Sequence, residues 1–325
     1  MNKFYIIAVT YEIEGLFALA TSVINHVIYA KNNGYIPIVD LKHYDNQYFK
    51  DDRVFKDNVW EYFFEQPNGY NLDNVTQNSN VLISQNCFFP DMKEVLWNGD
   101  VPKQLQNVSS GLECKKNTYK KYLKFNSQIQ QYLDEKLSQI CNSDEILGVL
   151  CRGTDYTKRR TYGEHIQPET KKVIEKVKQF IEKYPQINRI YVATEDNEIY
   201  ETFKKEFKDL LIENSQYKYS YDNNSTKLLS QLSIDRKNHN YSLAKEYLFS
   251  IYLLSKCKYF IGGKTTGTKW AWILSENWKD FYIWDLGKYG KTIKERIFSL
   301  TTIMKNKKTY KILQIFGIKF FKKLK

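Results

Sequence analysis

Across residues 146–284, apolar runs too short for helices alternate with longer segments in which apolar residues recur at helical spacing, and few folds accommodate that alternation. Runs at 146–151, 189–193, 210–212, 258–261 and 281–284 read as strands. Segments at 168–183, 197–207, 243–255 and from 266 onward read as helices. Strands separated by helices pair in parallel, because a helical crossover returns the chain to the same end of the sheet and covers one of its faces. The expected architecture is a doubly wound α/β sheet. The chain also opens with a strand at 4–9, a helix striped with Leu16, Leu19, Ala20, Val23, Ile24, Val27 and Ile28, a stop at Gly34, and a strand at 36–41. Residues 44–108 are aromatic, rich in Asn and Asp and poorly periodic, which predicts loops and short helices. Residues 119–140 read as one amphipathic helix ending at a polar break, 141–145.

A chain of 325 residues exceeds the size, roughly 250–300 residues, at which single cores stop growing, so two α/β domains with separate cores are expected. The polar break divides them into 1–143 and 144–302, followed by a basic segment, 303–325. The formal charge of +12 rests largely on that segment, which holds eight lysines and no acid from Lys305 onward. A nucleic-acid binder spreads Arg and Lys over a folded face with stacking aromatics, so this distribution argues against nucleic acid as partner. Lysines mixed with Tyr310, Ile312, Leu313, Ile315, Phe316, Ile318, Phe320 and Phe321 read instead as an amphipathic helix, either lying on an anionic membrane or packed back on the protein.

Cys87, Cys114, Cys141, Cys151 and Cys257 are widely spaced and include no Cys-x-x-Cys, which indicates neither a disulfide framework nor a zinc site and fits reducing cytoplasm. The N-terminal apolar run is too short for a signal-peptide core, and no segment reaches the ~20 apolar residues of a membrane span. The expectation is a cytoplasmic protein, peripheral to the inner membrane if its basic segment meets lipid.

Three loops leave the carboxyl ends of the C-terminal strands, where ligands of such sheets bind. Cys151-Arg152-Gly153-Thr154-Asp155-Tyr156 follows an apolar strand and continues through Lys158, Arg159 and Arg160 to Gly163-Glu164-His165-Ile166-Gln167-Pro168, the densest polar cluster in the chain. A guanidinium at a strand end suits a diphosphate, since its planar fork donates two charge-assisted hydrogen bonds of about 1.5–3 kcal/mol each. Gly153 would let a ligand approach the backbone, and a surface pair between Arg152 and Asp155 is the other reading. In Ala193-Thr194-Glu195-Asp196-Asn197-Glu198, Thr194 or Asp196 either caps the following helix or meets a ligand. Gly262-Gly263-Lys264-Thr265-Thr266-Gly267-Thr268 is a turn whose amides and hydroxyls suit phosphate, without the spacing of a P-loop.

Taken in order, Gly148-Val149-Leu150-Cys151-Arg152-Gly153-Thr154-Asp155, Tyr191-Val192-Ala193-Thr194-Glu195-Asp196 and the stretch 254–266 resemble the three motifs of the fucosyltransferase superfamily, which includes α-1,6-, α-1,2- and protein O-fucosyltransferases. The resemblance covers mainly 146–284. It implies a GT-B fold, two Rossmann-like domains facing a cleft with the donor held chiefly by the C-terminal one, and inverting transfer without metal. It also implies no cofactor beyond the nucleotide-sugar donor, with GDP-fucose favoured. By the same resemblance Arg152 binds the donor β-phosphate and Thr265 and Thr266 take phosphate-contacting serine positions, with Gly153, Thr154, Thr194, Asp196, Lys264 and Gly267 completing the donor set. No Asp-x-Asp motif is present. The family's histidine two residues before the arginine is Leu150 here, and its guanine-contacting aspartate falls near Ser250.

Inverting transfer needs a base for the acceptor hydroxyl and positive charge on the departing diphosphate. Arg152 supplies the charge, and Asp155, Glu164 and His165 are the candidate bases. Asp155 has the alternative of orienting Arg152, Glu164 of being a solvated loop acid, and His165 of packing or capping ahead of the helix at Pro168. The loop Tyr11-Glu12-Ile13-Glu14-Gly15-Leu16-Phe17 stands where an N-terminal domain faces the cleft, which gives Glu14, Gly15 and Phe17 as acceptor or cleft residues, unless Gly15 merely starts the helix. Trp60 and its aromatic neighbours read as core, with stacking on a sugar acceptor as the other reading. The expected function is transfer of a sugar to a glycan or lipid-linked glycan in cell-surface polysaccharide assembly. The rivals are the same fold with another UDP- or GDP-linked donor, and a non-catalytic nucleotide- or glycan-binding protein.

Overall fold

A computed structural model describes residues 2–8, 15–44, 46–51, 57–84, 110–140, 145–153, 157, 160–213, 216–220, 234–276, 278–290, 298–305, 308–315 and 318–323, with backbone alone for 110–115 and 298–323. The N-terminal part contains β1 (Lys3–Ile7), α1 (Leu16–Asn32), β2 (Ile36–Val39) and β3 (Asn80–Ile83). Its sheet runs β2-β1-β3 with both pairings parallel. Gly34 follows α1 at φ +72°, the left-handed conformation that lets the chain turn directly into β2. The outer edge of β2 is blocked by two side-chain amides. Val39 N–H donates to Gln66 Oε1 (2.9 Å), and Gln66 Nε2 and Asn58 Nδ2 both donate to Val39 O (2.9 and 2.7 Å). These amides stand in for a neighbouring strand and leave that edge little to offer another chain.

Residues 57–84 hold two short 3-10 turns, Val59–Tyr62 and Leu72–Asn74, as the poor periodicity predicted, and also β3, which it did not. The single helix expected over 119–140 is two helices, α2 (Ser110–Tyr122) and α3 (Ser127–Ile140). Asn126 divides them because its Oδ1 accepts from Ile129 N–H (2.8 Å), starting a new helix.

The C-terminal part contains β4 (Ile146–Leu150), α4 (Thr170–Lys183), β5 (Arg189–Ala193), α5 (Asn197–Phe207), α6 (His239–Lys256), β6 (Tyr259–Gly263), α7 (Thr266–Leu274) and β7 (Asp280–Trp284). All three pairings are parallel in the order β5-β4-β6-β7. The strand expected at 210–212 is reduced to one bridge between Leu211 and Ile190, preceded by a 3-10 turn. Helices α4 and α5 pack with Leu147, Val149, Val192 and Ile261 on one face, and α6 and α7 with Leu150, Tyr191 and Phe260 on the other, so the protein is α/β with helices on both sides of this parallel sheet.

The expectation of separate cores is corrected by α7, because one apolar cluster joins α1 and α2 of the N-terminal part to α6 and α7. Trp270, 1% exposed, donates Nε1–H to Phe17 O (3.0 Å) and Thr21 Oγ1 (2.9 Å), and its ring meets those of Phe17 and Tyr119. Lys116 and Lys120 of α2 reach the far end of α7, donating to Glu276 O (3.2 Å) and Ser275 O (2.9 Å), where helix carbonyls lack internal partners. Asp51 and Asn238 add a reciprocal pair, Asp51 N–H to Asn238 Oδ1 (2.7 Å) and Asn238 N–H to Asp51 Oδ2 (2.5 Å).

The basic segment is not the expected helix. Its backbone forms β8 (Phe298–Lys305), β9 (Lys308–Ile315) and β10 (Ile318–Lys323), an antiparallel sheet in the order β10-β9-β8. Thr, Ile, Tyr and Phe hold half of these strand positions and only two residues separate each pair, so strand propensity and hairpin spacing outweigh the helical reading.

Two predictions follow from the packing. Trp270→Ala, which opens the shared core, is expected to cost about 3–5 kcal/mol in urea unfolding. His26, buried with Nδ1 2.9 Å from Tyr5 Oη, has its pKa pushed down to about 4 by burial. The unfolded chain, with the ordinary histidine value near 6.5, therefore binds a proton that the native state refuses. His26 thus contributes stability that is fully present above about pH 6.5 and lost as pH falls toward 4. Replacing it in His26→Gln should flatten that part of the stability–pH curve measured by denaturant titration.

Candidate functional site

The four strands of the C-terminal sheet run in parallel, so their carboxyl ends share one edge. Leu150 is level with Ala193 and Gly262, and Gly262 with Ile283. Two residues beyond each of these positions stand Glu195, Arg152, Lys264 and Asp285, which in the spatial order of the strands run acid, base, base, acid. The outer acids pair with the inner bases: Arg152 NH1 lies 2.9 Å from Glu195 Oε1, and Lys264 Nζ 2.8 Å from Asp285 Oδ2. The two cations therefore follow β4 and β6, the adjacent strands whose connections leave in opposite directions, toward β5 and toward β7. That switch point is where a doubly wound sheet opens a crevice for ligand.

Close backbone packing holds the row. A Cβ at Gly153 would overlap Asp196 Oδ2 and lie 2.6 Å from Ile199 Cδ1, and one at Gly263 would overlap Gln167 Oε1. Gln167, 8% exposed, donates Nε2–H to Lys264 O and to His165 O, both at 3.1 Å, and ties the loop after β4 to the end of β6. Asp196 caps α5, its Oδ1 accepting from Glu198 N–H (2.9 Å) and Ile199 N–H (3.2 Å), while Thr194 Oγ1 accepts from Asp196 N–H (3.2 Å). Thr265 caps α7 by accepting from Thr268 N–H (3.0 Å). Thr194, Asp196 and Thr265 thus have capping or turn roles, and half-buried Thr266 opens α7. Gly267 is buried where a Cβ would lie 2.8 Å from Tyr247 Oη.

A cavity of about 840 Å³ opens beside the row, between α4 and α5. Arg152, Gly153, Thr157, Arg160, Gln167 and Asp196 line it together with the first turns of both helices and Tyr289. Lys264, Thr265, Thr266 and Gly267 are not among its lining residues, so only part of the expected donor set faces it. Lys264 instead stands 4% exposed on the β6 side of the switch point.

Glu164 is exposed and His165 half-buried, and neither lines the cavity. Their segment is bound to residues 287–289: Gly163 N–H donates to Tyr289 O (3.1 Å), Tyr289 N–H to Glu164 O (2.9 Å) and Ile166 N–H to Gly287 O (3.0 Å). The Nδ1 of His165 is buried without a hydrogen-bond partner. Burial first, then the charges of Lys288, Lys264 and Lys269, hold this ring below the usual histidine pKa and favour neutral imidazole. Asp155, Thr154 and Glu14 lie outside the described residues. Gly15 is the N-cap of α1. Phe17 is fully buried against Trp270 and Tyr247, so it contributes packing between the two parts and no acceptor surface. Among the described residues no group of three His, Cys, Asp or Glu is placed to hold a metal ion, and no helix is long and apolar enough to cross a membrane.

Sequence reasoning passed over Glu195 and Asp285 as partners of the two cations. The available signal was positional, since each lies two residues beyond the level end of its strand. Tyr247 was also missed. It lies close enough to Arg152 and Glu195 to feel both charges, and burial pushes its pKa up to about 12.

No family model and no curated protein matches the sequence. Solved structures that match include the fucosyltransferase NodZ from Bradyrhizobium, with a TM-score of 0.48 and 14% identity over 85% of this chain and 94% of that one. POFUT1 in complex with GDP matches with a TM-score of 0.46 and 10% identity over 87% and 98% of the two chains. A mutant of FUT1 from Arabidopsis thaliana in complex with GDP matches with a TM-score of 0.45 and 11% identity over 90% and 72%.

Gly153→Ala tests the packing that sets the row. The added methyl group has no room beside Asp196 and Ile199, so the variant is expected to lose about 1–3 kcal/mol in chemical unfolding. Asp196→Ala should cost about 1 kcal/mol through the lost cap of α5.

Proposed function

We propose that this protein is a metal-independent, inverting glycosyltransferase that holds the diphosphate of a nucleotide sugar at the switch point of its C-terminal sheet. The observation that carries this reading is the row of charges in which Arg152 and Lys264 each stand two residues beyond the level pair Leu150 and Gly262 of neighbouring strands, each with an acid beside it. A diphosphate carries its charge on oxygens a few ångströms apart and needs cations with the same spacing, and neighbouring strands are about 4.8 Å apart. The guanidinium has five N–H donors, so Arg152 can keep Glu195 on one edge while offering another to phosphate. In that position it stabilises the negative charge that develops on the departing diphosphate. The start of α7, capped by Thr265 immediately after Lys264, adds partial positive charge at the β6 end.

The base assigned to the acceptor hydroxyl is His165, Glu164 or Asp155, the last of which lies outside the described residues. His165 is favoured by its buried, unpartnered Nδ1 and lowered pKa, and Glu164 by its exposure beside it. The proposed acceptor is a glycan or lipid-linked glycan of the cell surface. GDP-fucose is the leading donor on the strength of the three motifs alone. A second reading keeps the fold and the phosphate site and changes the nucleotide. It is supported by Leu150, which is 4% exposed in the shared core, and by Ser250, which is 1% exposed and already donates to Gln216 Oε1 (2.9 Å).

Thermal stabilisation by a panel of GDP, UDP and their sugars tests the site, because a ligand of the native state raises its melting temperature. Stabilisation by one nucleotide class is expected. It should be lost in Arg152→Ala and not restored in Arg152→Lys, with unchanged far-UV circular dichroism in both. Loss of two charge-assisted hydrogen bonds of about 1.5–3 kcal/mol each corresponds to at least a hundredfold weaker binding. Full stabilisation of the Arg152→Ala variant would remove the assignment.

A further inference from the structure

We propose that the sheet β8–β10 docks the protein on an anionic lipid bilayer. The register builds the case. Phe298, Ile315 and Ile318 stand level across the three strands, and so do Leu300, Leu313 and Phe320. The next row of the same parity holds Thr302, Lys311 and Lys322. Rows two residues apart share a face of a sheet, so one face passes from six apolar positions at the 315–318 end to paired lysines toward the other end.

The lysines are placed against their own electrostatics. Lys311 is directly opposite Lys322, and Lys305 directly opposite Lys308. Like charges directly opposite on antiparallel strands destabilise the pairing. From Phe298 onward the chain holds eight lysines and no Asp or Glu, so the segment itself supplies no counter-charge. A second copy of the same sheet would bring lysines against lysines. Lys305 and Lys308 stand on the other face, so a negatively charged surface against the apolar face offsets the Lys311–Lys322 pair, and the apolar end beside that pair matches the boundary between acyl chains and headgroups. Nucleic acid offers the charge but nothing for the apolar rows, and the segment contains no arginine.

The test is co-sedimentation of the full chain with phosphatidylcholine vesicles, with and without phosphatidylglycerol, at low and high salt. Binding is expected only to vesicles containing phosphatidylglycerol, and it should weaken as salt rises. The double variant Lys311→Gln, Lys322→Gln should bind about 30-fold more weakly, near fivefold for each lysine. Phe320→Ser should weaken binding about tenfold through lost apolar burial. Three outcomes would overturn the proposal: no binding to phosphatidylglycerol vesicles, unchanged binding by the double variant, or equal retention on duplex DNA that Phe320→Ser leaves untouched. The readout is lipid partition alone, so it stands apart from donor binding at Arg152.

Discussion

Two cations side by side at the edge of a sheet repel one another, and the architecture around Arg152 and Lys264 answers that constraint. Glu195 and Asp285 on the outer strand ends offset that repulsion without removing the concentration of positive charge between them. The arrangement needs all four strands level and parallel, which ties the site to the register of the whole sheet. It also needs the loops beyond the strands to pass close together, which is why Gly153 and Gly263 leave space for Asp196 and Gln167.

The same helix that begins at this edge ends in the other half of the molecule. Thr265 caps the start of α7 beside Lys264, Trp270 in its middle is bonded to Phe17 and Thr21 of α1, and Lys116 and Lys120 of α2 hold the carbonyls at its end. The N-terminal helices therefore hold α7 at its middle and at its C-terminal end. The shared core couples the two sheets mechanically even though each has its own strand order.

Much of the C-terminal sheet was legible in the sequence because its signals are local. The strand at 189–193 and the helix at 197–207 coincide with β5 and α5, since an apolar run is followed directly by Asp196 as a cap and then by helical periodicity. What escaped depends on partners distant in the chain. The strand β3 is short, exposed and recognisable only by its pairing with β1. The break at Asn126 lay hidden in a periodic stretch, because the hydrophobic stripe resumes after it. In the basic segment both periodicities were available, and pairing between strands decided for β structure. Arg152 stood out as a cation at a strand end, but its partner Glu195 looked like one of three acids in a capping loop. Only the alignment of β4 with β5 distinguishes it from Asp196 and Glu198.

The interior of the site bears on which nucleotide it takes. By the resemblance, the family's histidine falls at Leu150 and its guanine-contacting aspartate near Ser250, and here both side chains are buried. Leu150 packs beneath α7, where a Cβ at Gly267 would lie 3.2 Å from its Cδ2, and Ser250 is committed to Gln216. A buried leucine offers a base no side-chain hydrogen bond, and a satisfied buried serine gains nothing by turning outward. Under the proposed function, recognition of a base edge would come from backbone groups or from side chains nearer the surface, while the diphosphate would meet the charge row, so the two ends of the proposed site can differ from the family pattern independently.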